Sequence, residues 1–265
     1  MAYIDREDRI HSLLQPARSG LLPIDLRHGA YRVRQAATEQ DLLAAFRLRF
    51  AVFNVELHEG LERSSVTGVD TDEFDSVCHH LVVELAGAGQ IVGTYRLQTG
   101  LMAQRNLGFY SAREFDFAPY EPLRSQVIEL GRACIHREHR STDVLYLLWR
   151  GIAAYAQRCG GRYLLGCSSL TSQDPEHGAA VLHALRGYLV APELRSVPLE
   201  AFRLPLELQS PAQPHIPKLL RTYLAIGAKI CGPPAIDRAF KTIDFLTLLD
   251  LENLHPRIRA RFFPR

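Results

Sequence analysis

Residues 127–135 read VIELGRACI, an apolar run broken only by Glu129 and Arg132. A short run of this kind, with no regular return of polar residues, is the signature of a strand buried in the middle of a sheet. Two charges inside such a strand are costly unless each finds an opposite charge or a full set of hydrogen bonds. The rest of the chain must therefore bring partners to them. Arg49, Arg96, Asp72 and Asp75 are the candidates. On the residues alone, a structural ion-pair network and a functional site are both open.

The neighbouring segments place that strand in a sheet. Residues 80–85 (HLVVEL) and 91–97 (IVGTYRL) are strands joined through a turn at 87–90, a hairpin. Residues 31–36 (YRVRQA) alternate enough to be a first strand. Thr38 with Asp41 forms a capping-box pattern, and Leu42, Phe46, Phe50, Phe53 and Leu57 recur at helical spacing. Arg49 and Phe53, four apart, share a face of that helix. The polar stretch HEGLERSSVTGVDTDEFD predicts a long loop. Its Asp72 and Asp75 can hold an ammonium, bind a cation or cap a helix. Residues 98–125 are irregular or partly helical.

After the central strand, HREHRSTD leads into a helix starting near Ser141 or Thr142 and ending at Gly160, with Val144, Leu148, Ile152 and Tyr155 on its buried side. A strand over 163–169 follows. Asp174 and Pro175 open a helix running to about Gly187. A proline-rich loop over 190–216, a helix over 217–226 and two strands, 228–231 and 244–250, complete the order. This is an α+β class with a mixed central sheet flanked by helices. Residues 1–30 read as an N-terminal arm. Residues 31–265 read as one domain ending in the basic tail HPRIRARFFPR.

Composition excludes several classes. The chain has 265 residues, 47% hydrophobic and 23% charged, with a net charge of +2, so nothing in the balance calls for nucleic acid. Cys78, Cys134, Cys159, Cys167 and Cys231 are scattered without C-x-x-C spacing, which predicts reduced core thiols. No apolar run reaches membrane-spanning length, and the N-terminus is too charged for a signal peptide, so the expected compartment is the cytoplasm. His79-His80-x-x-x-Glu84 has glutamate where the condensation motif HHxxxD has aspartate. Gly166-x-Ser168 lacks the closing glycine of a nucleophile elbow. His136 and His139 have no zinc-site partner at plausible spacing, so no metal is expected.

Taken in order, R-x-x-x-F (Arg49, Phe53), D-x-x-D (Asp72, Asp75), G-x-x-R-L (Gly93, Arg96) and E-x-x-R (Glu129, Arg132) resemble the acyl-homoserine-lactone synthases, which have a GNAT-like fold. The stretches DEFDSVCHHLVVEL, VGTYRL, ELGRACIHREHR, LWRGIAAY, GCSSL and AKICGPPAIDRAFKTIDFLTLLDL are more similar to a sister group, the ornithine N-acyltransferases of ornithine-lipid synthesis. The resemblance covers about residues 31–251.

It implies a GNAT-like acyltransferase fold and a reaction. A 3-hydroxyacyl chain leaves an acyl-carrier-protein thioester for the α-amine of ornithine, giving lyso-ornithine lipid. It implies Glu129 and Arg132 as catalytic residues, with Glu129 taking the amine proton. Arg49, Phe53, Asp72, Asp75 and Arg96 are then the substrate-binding wall. Ile135, His136, Arg137, Arg140, Ser141 and Thr142 are the acyl-pantetheine site.

Ordinary GNAT enzymes grip the coenzyme A pyrophosphate with a glycine-rich loop. HREHRST has no glycine, yet its arginines and the helix start can hold a single phosphate. Acyl carrier protein is therefore the expected donor, and no cofactor is expected. The alternatives are an N-acyl amino acid or acyl-homoserine-lactone synthase, and a non-catalytic protein binding acyl carriers or lipids. The tail is expected either to rest on an anionic membrane, at its inner face, or to dock on its own domain.

Overall fold

The structure, a computed structural model, describes residues 20–205 and 214–263. Its frame is one mixed sheet. The strands are β1 (Asp25–His28), β2 (Tyr31–Gln35), β3 (His79–Leu85), β4 (Ile91–Thr99), β5 (Val127–Ile135), β6 (Tyr163–Leu170), β7 (Lys229–Ile230), β8 (Ala235–Asp237) and β9 (Thr242–Asp250). They lie in the order β1-β2-β3-β4-β5-β6-β9-β7, with β8 also beside β9. Every pairing is antiparallel except β5 with β6. The charged strand VIELGRACI is central, as its composition predicts.

The five longer helices are α1 (Glu39–Phe50), α2 (Thr142–Cys159), α3 (Pro175–Leu185), α4 (Lys218–Ile226) and α5 (Pro256–Phe262). Thr38 caps α1 in the anticipated box: its side chain accepts from the Asp41 N–H while the Asp41 carboxylate accepts from the Thr38 N–H. Past Phe50 the helix widens into a π turn over Ala51–Glu56. Ser141 caps α2, and Gly160 ends it in the left-handed conformation at φ 66°.

Period-two alternation sorts side chains onto the two faces of the sheet. On β3, Leu81 and Val83 pack with Val144, Leu148 and Ile152 of α2, whereas Val82 between them packs with Leu42, Phe46 and Phe53 beneath α1. On β4, Tyr95 and Leu97 join the α2 side. Arg96, which pairs across the ladder with His80, is turned to the α1 side, with Gln98 two residues on.

Three readings are corrected. Residues 25–28 are not arm but an edge strand paired with β2, since Asp25 and Arg34 are in register; residues 1–19 lie outside the described part. The last two expected strands are joined by a third, β8, which lies between them in the chain. The long polar loop carries a short helix, Ser64–Thr67, and a 3-10 turn, Glu73–Ser76. Of the two expectations for the tail, docking is what the structure shows. α5 buries Phe262, whose ring lies 5.9 Å from both Tyr146 and Trp149.

Candidate active site

β5 and β6 run together only over Val127, Ile128 and Glu129, opposite Tyr163, Leu164 and Leu165. Beyond that point the strands part, and the backbone of 130–135 has no ladder partner from β6 among the described residues. Gly166 sits at the fork. A Cβ there would come 2.1 Å from the Leu130 carbonyl oxygen, so only glycine lets the two backbones pass.

On its other edge β5 bulges. β4 advances from Thr94 to Arg96 while β5 retreats from Cys134 to Gly131, so one extra residue falls in β5, and Arg132 takes φ 51°. In a regular strand, residues three apart face opposite sides. The extra residue resets the alternation, and both Glu129 and Arg132 end up lining one cavity.

That cavity is about 750 Å³. One arm is apolar, between β5, α2, α4 and α5, with Leu145, Leu148, Trp149, Leu220, Ile226 and Phe262 in its wall. Tyr95 and Tyr223 meet there hydroxyl to hydroxyl at 2.6 Å. The other arm is polar and acidic, with Glu59, Asp237 and Asp244.

Beside the cavity lies a closed ion network. Arg49 Nε donates to Asp70 Oδ1 at 2.7 Å, and its two Nη atoms donate to Asp75 at 2.7 and 3.0 Å. Arg96 Nη1 donates to Asp72 at 2.5 Å and Asp75 at 2.9 Å. Arg132 Nη2 donates to Asp72 Oδ2 at 2.9 Å. Three arginines thus balance three aspartates, all with buried side chains. Burial alone would raise the Asp75 carboxyl; Arg49 and Arg96 outweigh it and hold the group well below the usual carboxylate range. Asp72 and Asp75 also cap the turn they flank, each accepting from a backbone N–H. Asp70, third acid of the set, was not singled out in the sequence, because nothing local distinguishes it from its loop.

Glu129 is held differently. Gln98 Nε2 donates to Oε2 at 2.6 Å, and the N–H groups of Tyr110 and Ser111 donate at 2.8 and 2.7 Å. Its partners are therefore amides, not the arginines expected. Through them it fixes the Tyr110–Ser111 turn, and the Tyr110 ring lies 5.3 Å from the Arg96 guanidinium and 5.1 Å from that of Arg132.

Of the residues expected at the site, Glu129, Arg132, Phe53, Arg96, Ile135, Arg140, Ser141 and Thr142 line the cavity. Arg49, Asp72, Asp75, His136 and Arg137 stand behind or beside that lining. Arg140 is engaged by Glu56 at 2.5 and 2.8 Å, while Arg137 is exposed.

A mixed sheet with a parallel pair that forks, a bulge on the central strand and a cavity entering at the fork define a GNAT-type acyltransferase. The family model described as an acetyltransferase (GNAT) domain matches residues 48–150. Among solved structures, the AHL synthase LasI aligns with TM-score 0.52 at 12% identity, over 89% of this chain and 96% of its own. FeeM, an N-acyl amino acid synthase from uncultured soil microbes, aligns with TM-score 0.53 at 10% identity, over 88% and 96%. At those identities the likeness is one of fold.

Sequence relatives narrow the class. The L-ornithine N(alpha)-acyltransferase of Brucella abortus is 34% identical over 87% of this chain and 88% of its own length. That of Agrobacterium fabrum is 34% identical over 87% and 84%. The chain belongs to the L-ornithine N(alpha)-acyltransferase family, and it is an acyltransferase.

Proposed function

We propose that this enzyme transfers a 3-hydroxy fatty-acyl group from acyl carrier protein to the α-amine of ornithine, releasing lyso-ornithine lipid. The observation that carries the reading is the two-armed cavity meeting at the fork: an apolar arm for an acyl chain, a charged arm for an amino acid, and the β5 backbone between them.

The pantetheine arm enters between the parted strands. The amine nitrogen attacks the thioester carbon, the C–S bond breaks, and the carrier's sulfur leaves as a thiol after taking a proton. Those N–H groups of 130–135 that point away from β4, where β6 has parted, are the donors available to the oxyanion. We assign the amine's proton to Glu129, directly or through a water, because it is the carboxylate at the fork. We assign the α-carboxylate to Arg132, which lines the cavity while Asp72 holds its Nη2 and Asp70 lies 3.5 Å from its Nε. Arg49, Asp72 and Asp75 act on substrate only by fixing Arg96 and Arg132. Phe53 and Arg96 complete the wall.

The absence of glycine from His136 to Thr142 favours a carrier's single phosphate over a pyrophosphate, with Arg137 and the start of α2 beneath it. No cofactor enters this scheme. Any contact with an anionic membrane falls to Arg257 and Arg261, which face outward on α5 beside the acyl arm. Vesicle sedimentation that ignores their reversal to Glu removes that contact from the scheme.

The deciding assay supplies acyl carrier protein loaded with 3-hydroxyacyl chains, and ornithine, with mass spectrometry of the product. Nα-acylornithine plus free carrier thiol is expected, with kcat/KM falling as salt screens the acidic carrier. Equal use of acyl-coenzyme A, with no salt dependence for the carrier, rejects the donor assignment. Acylation of other amino acids in preference to ornithine rejects the acceptor.

A further inference from the structure

The acidic arm of the cavity lacks something that the ion network has. Glu59, Asp237 and Asp244 line it, and Glu114 lies directly behind. All four are buried, Asp244 being only 4% exposed. No lysine or arginine makes an ion pair with any of them among the described residues.

Two of the acids have local support. Asp237 Oδ1 accepts from the N–H groups of Ala239 and Phe240 at 2.8 and 2.9 Å, which fixes its direction. Asp244 Oδ2 has the Thr242 hydroxyl at 3.3 Å, but its Oδ1 is buried with no hydrogen-bond partner. Leaving such an oxygen unmatched is costly, and more so for a charged group. A buried carboxylate facing a cavity with one oxygen unmatched is a place where a donor is expected to arrive.

The arm also connects to the fork. Ser111, whose N–H holds Glu129, has its hydroxyl 3.5 Å from Cys167 Sγ, and Cys167 lies 3.8 Å from Glu114 Oε2. Glu114, Cys167 and Asp244 offer ligand atoms all within 4.8 Å of one another. Glu129 and the acids thus line one cavity and are linked through Ser111 and Cys167.

We infer that Asp244, with Asp237 and Glu59, receives the side-chain ammonium of the dibasic acceptor. This inference rests on the reading that the acceptor is ornithine, and assigns its selectivity. Arg132 takes the α-carboxylate, the α-amine lies at the fork by Glu129, and three methylenes carry the second ammonium into the acidic arm. There it supplies the donors that Asp244 Oδ1 lacks. The chain then discriminates by charge: an acceptor of equal length without the terminal amine leaves the carboxylates buried and unpaired, and such sites reject analogues far more strongly than apolar pockets do.

The test compares ornithine with norvaline, which keeps the same three side-chain carbons and lacks only the terminal amine, as acceptors for the wild type, Asp244→Asn and Glu59→Gln. The wild type is expected to prefer ornithine by at least about 100-fold in kcat/KM. Asp244→Asn should lose about 10- to 100-fold on ornithine, mainly in KM, the scale of one buried charge-assisted contact, and stay within about threefold on norvaline. Glu59→Gln, should Asp244→Asn fold poorly, reads the same split with a smaller loss.

Equal losses on both acceptors, or a wild type that uses norvaline as well as ornithine, overturn the assignment. Activity lost to a chelator and restored by zinc gives the cluster to a metal ion and overturns it too. A wild type that acylates no ornithine at all fails at an earlier point: it sinks the acceptor reading, and the subsite with it.

Discussion

Two buried groups of carboxylates flank the cavity, and they behave in opposite ways. In the ion network, Asp72 and Asp75 are subject to strong burial, yet Arg96 and Arg49 hold both below the usual range. In the acidic arm, burial wins: no arginine pairs with these acids among the described residues, and Arg132 offsets only part of it at Glu114. Glu59 is pushed up to about 7, Asp244 to about 6, and Glu114 well above its usual value, burial acting first and an acidic neighbour adding to it in each case. The residue types are the same, and so is the depth. The difference is the partner. The network is complete within the chain, whereas the arm has no ion-pair partner of its own among the described residues. Structure and specificity are thus built from the same chemistry, separated by whether the counter-ion is covalently part of the protein.

The comparison can be broken most severely at Arg49, which is fully buried and lies outside the cavity lining. Arg49→Met leaves Asp70 and Asp75 without their main partner. Removing one member of a buried pair costs about 3–5 kcal/mol, and denaturant unfolding should show a loss of that size. A loss under about 1 kcal/mol would mean that the network is dispensable to folding.

Glu129 stands between the two groups, and its replacement tests chemistry. Glu129→Gln should lower kcat by about 10²–10⁴ with little change in ornithine KM. The same fall from Glu59→Gln, with Glu129→Gln unchanged at saturating amine, would move the proton acceptor into the acidic arm, where a group near 7 is well placed for it.

The pH dependence of stability sharpens the contrast. A carboxyl raised on folding favours the protonated folded state, so its cost appears as pH rises from the unfolded value to the folded one. For Asp244 that window runs from 3.8 to about 6, and for Glu59 from 4.5 to about 7. Asp237 beside Asp244 deepens the cost, and the Thr242 hydroxyl relieves part of it. The network acids have the opposite sign: their contribution is present above about pH 4 and fades only as pH falls below that. Ligand-free enzyme should therefore lose about 1–3 kcal/mol from the acidic arm between pH 4 and 7. Asp244→Asn should flatten that slope in urea unfolding measured at stepped pH, and saturating ornithine should do the same for the wild type. A slope that neither change affects would show that the arm is not the source.

Much of the fold could be read from local patterns. The central strand, the hairpin before it, the Thr38 cap and the Ser141-to-Gly160 helix all appear where spacing and capping residues put them, because these elements are set by side-chain period and by the first and last turns of backbone. The strip of charges Arg49, Arg96, Glu129 and Arg132 was visible because charge in an apolar pattern must be explained. Their pairing was not. Regular alternation sends Glu129 and Arg132 to opposite faces, and only the bulge at Arg132 brings them to one cavity. Asp70 looks like any loop aspartate until Arg49 reaches it.

The acidic arm shows the limit most clearly. Glu59, Glu114, Asp237 and Asp244 come from four segments spread over most of the chain, and each in its own neighbourhood reads as a solvated or capping acid. What collects them is the antiparallel pairing of β6 with β9, which sets Ser169 opposite Asp244, and of β8 with β9, which brings the Asp237 end of β8 alongside. Secondary structure follows from short-range periodicity and is written in order along the chain. A cluster of acids without a cation arises only when distant segments share one low-dielectric space, because only there does the missing partner have a cost.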